Sequence, residues 1–300
     1  MPTERTRWEG TFVALATPFR GGAIDEAAYA KLCEEVLAEG CDGLVPCGTT
    51  GETPTLSVEE QDRLVRIAVE VAGAKGAPVI AGAGSNSTAQ TIEAVRRVRA
   101  AGADAALVVT PYYNKPTQAG IVAHYRAIAE AVPGFPIVAY VVPGRTQSDI
   151  LPDTYPALAE IEEVVAVKEA TASMQRVIDI REWVGDRFAL LSGDDFTVLP
   201  FIACGGRGVI SVSANVAPRP VSDLVRAALA GEIEKARDLQ VRLNALHRAL
   251  FLESNPIPVK AAMHMMGRFA DEVRLPLTPA TASTRAALRA ALGALGIEAR

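Results

Sequence analysis

Short apolar runs alternate with amphipathic stretches along most of this chain. Runs rich in Val, Ala, Ile and Leu at 11–16, 43–46, 78–82, 104–110, 136–142, 164–167, 188–192 and 208–212 read as strands. They are apolar at nearly every position, as strands covered on both faces of a parallel sheet must be. Helical patterns fall between them at 25–39, 57–72, 88–101, 118–131, 153–161, 173–184 and 196–204. Over 25–39, Ala28, Leu32, Val36 and Leu37 make one apolar stripe. Ser57, with Glu60 three residues on, predicts a capping box at the start of the second helix. Counting the helix after Pro218, this gives eight strand–helix units, which predicts an α/β fold of the (β/α)8 TIM barrel type. An open doubly wound sheet is the poorer fit, since no Gly-x-Gly-x-x-Gly opens a first helix. Past about residue 215 the strands stop. Helices at 219–230, 232–252, 256–266 and 280–295 predict a C-terminal helical layer, dividing the chain into a barrel over 1–220 and a helical region over 221–300.

A barrel builds its site on the loops that follow its strands, so those positions are where chemistry is sought. The run Glu163-Val164-Val165-Ala166-Val167-Lys168-Glu169-Ala170-Thr171 leaves a buried strand on a lysine. Low-dielectric surroundings there favour a neutral amine, which is a nucleophile; the alternative is a stem on apolar surface with its head in water. Gly48-Thr49-Thr50-Gly51-Glu52-Thr53 makes a tight loop of N–H groups and hydroxyls suited to a small carboxylate, or else an ordinary glycine turn. Tyr140 ends the strand preceding that of Lys168, and its phenol could relay the protons that imine chemistry moves. Arg145, just past a turn at Pro143-Gly144, could grip a substrate carboxylate with two N–H groups or make a surface salt bridge. Asp195, in Ser192-Gly193-Asp194-Asp195, reads as a helix cap.

Composition narrows the class. The chain has 300 residues, 49% hydrophobic and 22% charged, with a formal net charge of −5 and no basic stripe, which argues against nucleic acid. No apolar run reaches membrane-spanning length, and Met1-Pro2-Thr3-Glu4-Arg5-Thr6-Arg7 carries no signal-peptide core, so a cytoplasmic protein is expected. Cys33, Cys41, Cys47 and Cys204 form no Cys-x-x-Cys pair, and His124, His247 and His264 show no ligand spacing; buried free thiols and no metal are expected.

The sequence resembles the pyruvate-dependent class I aldolase family of dihydrodipicolinate synthase and N-acetylneuraminate lyase. The likeness runs from Gly10-Thr11 to about Leu277-Thr278. It rests on Gly48-Thr49-Thr50-Gly51-Glu52, Thr110-Pro111-Tyr112-Tyr113-Asn114, Tyr140-x-x-Pro143-Gly144-Arg145-Thr146, Val167-Lys168-Glu169-Ala170-Thr171, Leu191-Ser192-Gly193-Asp194-Asp195, Gly208-Val209-Ile210-Ser211-Val212 and Asn255-Pro256-Ile257-Pro258-Val259-Lys260, in that order. The resemblance implies that Lys168 forms a Schiff base with pyruvate, with Tyr140 as the adjacent proton relay. It implies that Thr49 links Tyr140 to a Tyr113 arriving from a neighbouring subunit, and that Thr49 and Thr50 hold the pyruvate carboxylate. Arg145 would then bind aspartate 4-semialdehyde, with Gly193 and Ile210 lining the pocket. No cofactor beyond the lysine and a homotetramer built as a dimer of dimers are likewise implied. A sugar-acid lyase using the same Schiff base, and a keto-acid sensor without turnover, are the competing functions.

Three positions depart from the family pattern: Val141 replaces Asn after the tyrosine, Gln147 replaces Gly after Arg-Thr, and Ala172 replaces the Gly of Ala-Thr-Gly. At the family's lysine-feedback site Asn86 and Tyr112 match, whereas Val58 and Gln90 stand where lysine-sensitive members carry His and Glu. Weak or absent inhibition by L-lysine is expected.

Overall fold

The computed structural model describes residues 8–300, so the N-terminal heptapeptide just mentioned lies outside the described residues. The eight apolar runs form parallel strands: β1 (Gly10–Ala14), β2 (Gly43–Val45), β3 (Ile80–Gly82), β4 (Ala105–Val109), β5 (Ile137–Val141), β6 (Val164–Glu169), β7 (Ala189–Ser192) and β8 (Gly208–Ser211). Hydrogen bonding runs β2–β1–β8–β7–β6–β5–β4–β3. A parallel bridge from Leu44 to Val79, with Leu44 N–H donating to Pro78 O at 3.0 Å and Gly82 N–H to Pro46 O at 2.9 Å, closes the ring. None of the eight barrel strands is left with an unpaired edge, which is how a sheet avoids a template for aggregation.

The period-2 alternation of the strands sorts their side chains into two cores. Phe12, Ala14, Val45, Ile80, Leu107, Val138, Tyr140, Ala166, Leu191 and Ile210 point inward and plug the barrel. Val13, Leu44, Ala81, Val108, Ala139, Val141, Val167, Leu190 and Val209 point outward beneath the helices. Each fully covered Val, Leu or Ile contributes about 1.5–3 kcal/mol, so a strand that slipped by one residue would exchange the two sets and lose both cores.

The helices that cover the strands begin with α1 (Glu26–Ala38), α2 (Val58–Gly73), α3 (Thr88–Ala100) and α4 (Gln118–Ala131). They continue with α5 (Pro143–Thr146), α6 (Tyr155–Ala159), α7 (Met174–Val184), α8 (Val198–Ala203) and α9 (Pro218–Leu229). The Ser57 capping box forms as expected: Glu60 N–H donates to Ser57 Oγ at 3.2 Å and Ser57 N–H to Glu60 Oε2 at 2.9 Å. Three helices follow, α10 (Ile233–Ala249), α11 (Ile257–Met265) and α12 (Ala282–Ala294), packed on one another and on α8 and α9. The 220/221 boundary falls inside α9, which packs on β1 as the last barrel helix. Two differences from the sequence reading bear on the site. β6 runs on through Lys168 and Glu169 instead of stopping at Val167, and Pro143–Thr146 is a short helix instead of a turn.

Candidate active site

Because Ala166 faces the barrel interior, Lys168, two residues on in the same strand, faces it too. Its register partners are Tyr140 on β5 and Leu191 on β7. Lys168 is 7% exposed, and its Nζ lies 4.1 Å from the centroid of the Tyr140 ring. Among the described residues no carboxylate comes within ion-pair distance of that amine. Gly193 makes room for the lysine stem: a Cβ there would lie 3.1 Å from Lys168 Cε and 2.6 Å from the Ala170 Cβ. Gly193 N–H donates to Glu169 O at 2.7 Å, carrying the β6–β7 ladder one residue past β7. Ile210, buried in the barrel plug, closes the wall on the β8 side.

The loop after β2 makes two short 3₁₀ turns, Thr49–Gly51 and Thr53–Thr55, joined at Glu52, which has φ +57°. Left-handed backbone is costly for a residue with a Cβ, and here the side chain offsets it. Glu52 Oε1 meets Lys260 Nζ at 2.5 Å, and its Oε2 accepts from Arg274 N–H at 3.0 Å. Both members of the pair are buried, and burial pulls the Lys260 amine below the usual lysine range against the pull of Glu52. Thr50 is buried, and its Oγ accepts from Asn255 Nδ2 at 2.9 Å; Thr49 is half-buried. The hydroxyls of Thr49 and Tyr140 have no hydrogen-bond partner among the described residues.

Arg145 stands exposed on α5, its Nη2 donating to Asn255 O at 3.4 Å. Gln147 follows with φ +55°, and Ala172, after β6, has φ +57°. Both departures from glycine therefore fall on left-handed backbone, where glycine carries no Cβ penalty. Val141 is fully buried on the outward face of β5.

Tyr113 is 87% exposed with φ +74°, and Tyr112 is 41% exposed, so this chain brings neither to its own lysine. Asn86 lies half-buried beside the same loop, its carbonyl accepting from Asn114 Nδ2 at 2.8 Å. Val58 and Gln90 are exposed, and Gln90 Oε1 accepts from Ser85 Oγ at 2.9 Å.

The capping role expected of Asp195 belongs to its neighbour: Asp194 accepts from Phe196 N–H at 3.3 Å. Asp195 turns inward, accepting from Ser211 Oγ at 2.5 Å and from the N–H groups of Val212 and Ser213 at 3.0 Å each. It thereby joins the loop after β7 to the end of β8, placing Gly193 and Ile210 relative to each other. A sequence reading of one acid before a helix cannot say which of two adjacent carboxylates caps it. Cys33, Cys41 and Cys47 are buried free thiols as expected, and Cys204 is half-buried; burial pushes the Cys47 thiol up to about 12, leaving it inert.

Glu52, Asn255, Lys260 and Asp195 carry the site from behind; Asp195 was expected to cap a helix, and the other three were given no role of their own from the sequence. The signal for Lys260 was present: Ile257-Pro258-Val259-Lys260 is a second lysine ending an apolar run.

Comparison with known proteins agrees along nearly the whole chain. The model of the Dihydrodipicolinate synthetase family matches residues 7–295. The 4-hydroxy-tetrahydrodipicolinate synthase of Anaeromyxobacter sp. (strain Fw109-5) is 53% identical over 293 residues, 97% of this chain and 99% of that one. The crystal structure of dihydrodipicolinate synthase from Aquifex aeolicus superposes with a TM-score of 0.94 at 43% identity, over 97% of this chain and 99% of that one. The chloride-inhibited dihydrodipicolinate synthase from Acinetobacter baumannii, solved with pyruvate, gives a TM-score of 0.94 at 44% identity, over 96% of this chain and 99% of that one.

Proposed function

Because the chain belongs to the dihydrodipicolinate synthetase family, we propose that Lys168 is the amine on which its reaction turns. The activity is that of the 4-hydroxy-tetrahydrodipicolinate synthases: pyruvate condenses with L-aspartate 4-semialdehyde in the diaminopimelate route to lysine. The enzyme is a Schiff-base-forming lyase. The observation that carries the assignment of Lys168 is its amine, inside the barrel, 4.1 Å from the Tyr140 ring and without a carboxylate partner among the described residues.

In this reading the amine adds to the pyruvate ketone, and loss of water leaves a protonated imine. The imine draws electrons from the methyl carbon, which loses a proton and becomes a nucleophilic enamine. That carbon attacks the aldehyde; the product's own amine then displaces Lys168 as the ring closes. Tyr140 carries protons in and out, handing them through Thr49 to a Tyr113 of a neighbouring copy. The exposure of Tyr113 and Tyr112 supports that arrangement, within a homotetramer built as a dimer of dimers. Thr49 and Thr50 hold the pyruvate carboxylate, Gly193 and Ile210 wall the pocket, and Arg145 receives the carboxylate of the semialdehyde. The imine is itself the electron sink, so no metal or organic cofactor enters any step. Four free cysteines suit a reducing cytoplasm.

The test is to incubate the protein with pyruvate and borohydride and measure its intact mass, then to supply the semialdehyde. A reduced adduct on Lys168 with turnover is expected; its absence overturns the reading. Arg145→Ala keeps the adduct and raises KM for the semialdehyde about ten- to hundredfold. Asn86 and Tyr112 are the remaining members of a lysine-feedback site. With Val58 and Gln90 beside them it has neither the imidazole nor the carboxylate that would hold a charged amino acid. Steady-state assays with millimolar L-lysine are expected to show little inhibition.

A further inference from the structure

Asn255 lies 205 residues from Thr50 in sequence, yet the two are joined inside the protein by a buried hydrogen bond of 2.9 Å. The direction of that bond matters. A hydroxyl has one proton to give and two lone pairs to receive with. Here Asn255 Nδ2 donates, so one lone pair of Thr50 Oγ is occupied and its proton remains free to point elsewhere. A carboxylate can only accept, and a donor already aimed at it forms the stronger, charge-assisted bond. The same residue reaches the other substrate arm, since its backbone carbonyl accepts from Arg145 Nη2 at 3.4 Å. Five residues on, Lys260 grips Glu52, so the segment entering α11 holds the loop after β2 at two points, Thr50 and Glu52. Asn255 Oδ1 is buried with no partner among the described residues, so Thr50 is the only bond orienting this carboxamide.

We propose that Asn255 is a positioning residue for both substrates: its carboxamide turns the Thr50 hydroxyl toward the pyruvate carboxylate, and its carbonyl steadies Arg145. The C-terminal layer is thus part of the substrate-binding apparatus. The proposal rests on the reading that Thr50 holds pyruvate.

Two substitutions separate this role from packing. Asn255→Asp keeps shape and volume but replaces the donor by an acceptor. It draws the Thr50 proton onto itself and sets a negative charge beside the pyruvate carboxylate. Asn255→Ala removes volume but leaves the Thr50 hydroxyl free to rotate. The quantity to measure is the pyruvate concentration that half-saturates borohydride trapping, together with kcat and the KM for each substrate. For Asn255→Asp half-saturation should rise by about tenfold or more, and for Asn255→Ala by about three- to fivefold, with kcat less affected in both. On a Thr50→Val background, Asn255→Ala should add no further change to pyruvate half-saturation. A packing residue gives the reverse order, with Ala worse than the isosteric Asp, and that order overturns the proposal. Should Asn255→Ala fail to fold, Asn255→Asp decides alone, and an unchanged half-saturation overturns the role. A wild-type chain that forms no adduct overturns the Schiff-base reading itself; wild-type adduct with an unaffected Asp variant overturns only the positioning role.

Discussion

Lys168 and Lys260 are both buried lysines that follow short apolar runs, and each amine lies over an aromatic ring, 4.1 Å from the Tyr140 centroid and 4.0 Å from that of Phe19. One difference separates them. Lys260 meets Glu52 at 2.5 Å in a pair with side chains 1% and 0% exposed, while Lys168 has no carboxylate in reach among the described residues. Burying an amine without a carboxylate partner costs free energy, and a protein keeps such a site where something else is gained. Lys260 holds a loop in place; Lys168 has no such tether, which is what the proposed Schiff base requires. His124 marks a third outcome for a buried base: its Nδ1 contacts Thr88 Oγ at 2.9 Å, and burial alone pushes its imidazole down to about 4, so it stays neutral.

The sharpest way to break this contrast is to exchange the consequences of the two lysines. Lys168→Ala should lower turnover by at least about a thousandfold and abolish the borohydride adduct, with the fold intact by circular dichroism. An adduct kept in Lys168→Ala and lost in folded Lys260→Met at saturating pyruvate would put the chemistry on the wrong amine. Lys260→Met should cost about 3–5 kcal/mol in urea unfolding, because it strands a buried Glu52. Adding Glu52→Gln should recover part of that loss, a non-additivity that a double-mutant cycle reads directly.

The His124 case sharpens the comparison through pH. Between about 4 and its ordinary 6.5, the unfolded chain takes up a proton that the folded imidazole refuses, so stability is lost as pH falls through that window. The gap corresponds to roughly 3 kcal/mol at most. His124→Gln should flatten unfolding free energy across this range, measured by urea titration from pH 7 to pH 4. The smallest effects lie in the backbone. Gln147→Gly and Ala172→Gly, on the Lys168 side, should each stabilise by about 0.5–1 kcal/mol by relieving left-handed strain. Glu52→Gly removes the same strain but leaves Lys260 without its partner, so it should destabilise.

The barrel was legible because its strands are covered on both faces: Val164-Val165-Ala166-Val167 has no polar residue until its outlet, and such runs recur at barrel spacing. Strand ends were less so. A period-2 pattern loses its meaning where side chains become polar for chemical reasons, and β6 therefore includes two charged residues that composition assigns to a loop. Lys168, Tyr140 and the Gly48-Thr49-Thr50 loop could be found because each ends or follows a strand. Asn255 and Lys260 stood out only as parts of a motif and their roles were hidden, because they reach the site from the segment entering α11, more than 200 residues away in sequence from their partners Thr50 and Glu52. Their proximity exists only in three dimensions. The choice between Asp194 and Asp195 was lost for a related reason: adjacent carboxylates share a sequence signal and differ only in which way the chain turns them.

Closure of the ring sets a condition on how the molecule is made. β1 lies between β2 and β8, with Gly10 in register with Gly208, so the first strand to leave the ribosome waits for the last. Until residues near Ser211 have emerged, the growing polypeptide carries two open strand edges side by side with every neighbour they could wrongly adopt. A translational pause placed before that point would therefore be harmful to yield, and one placed after it would be tolerated.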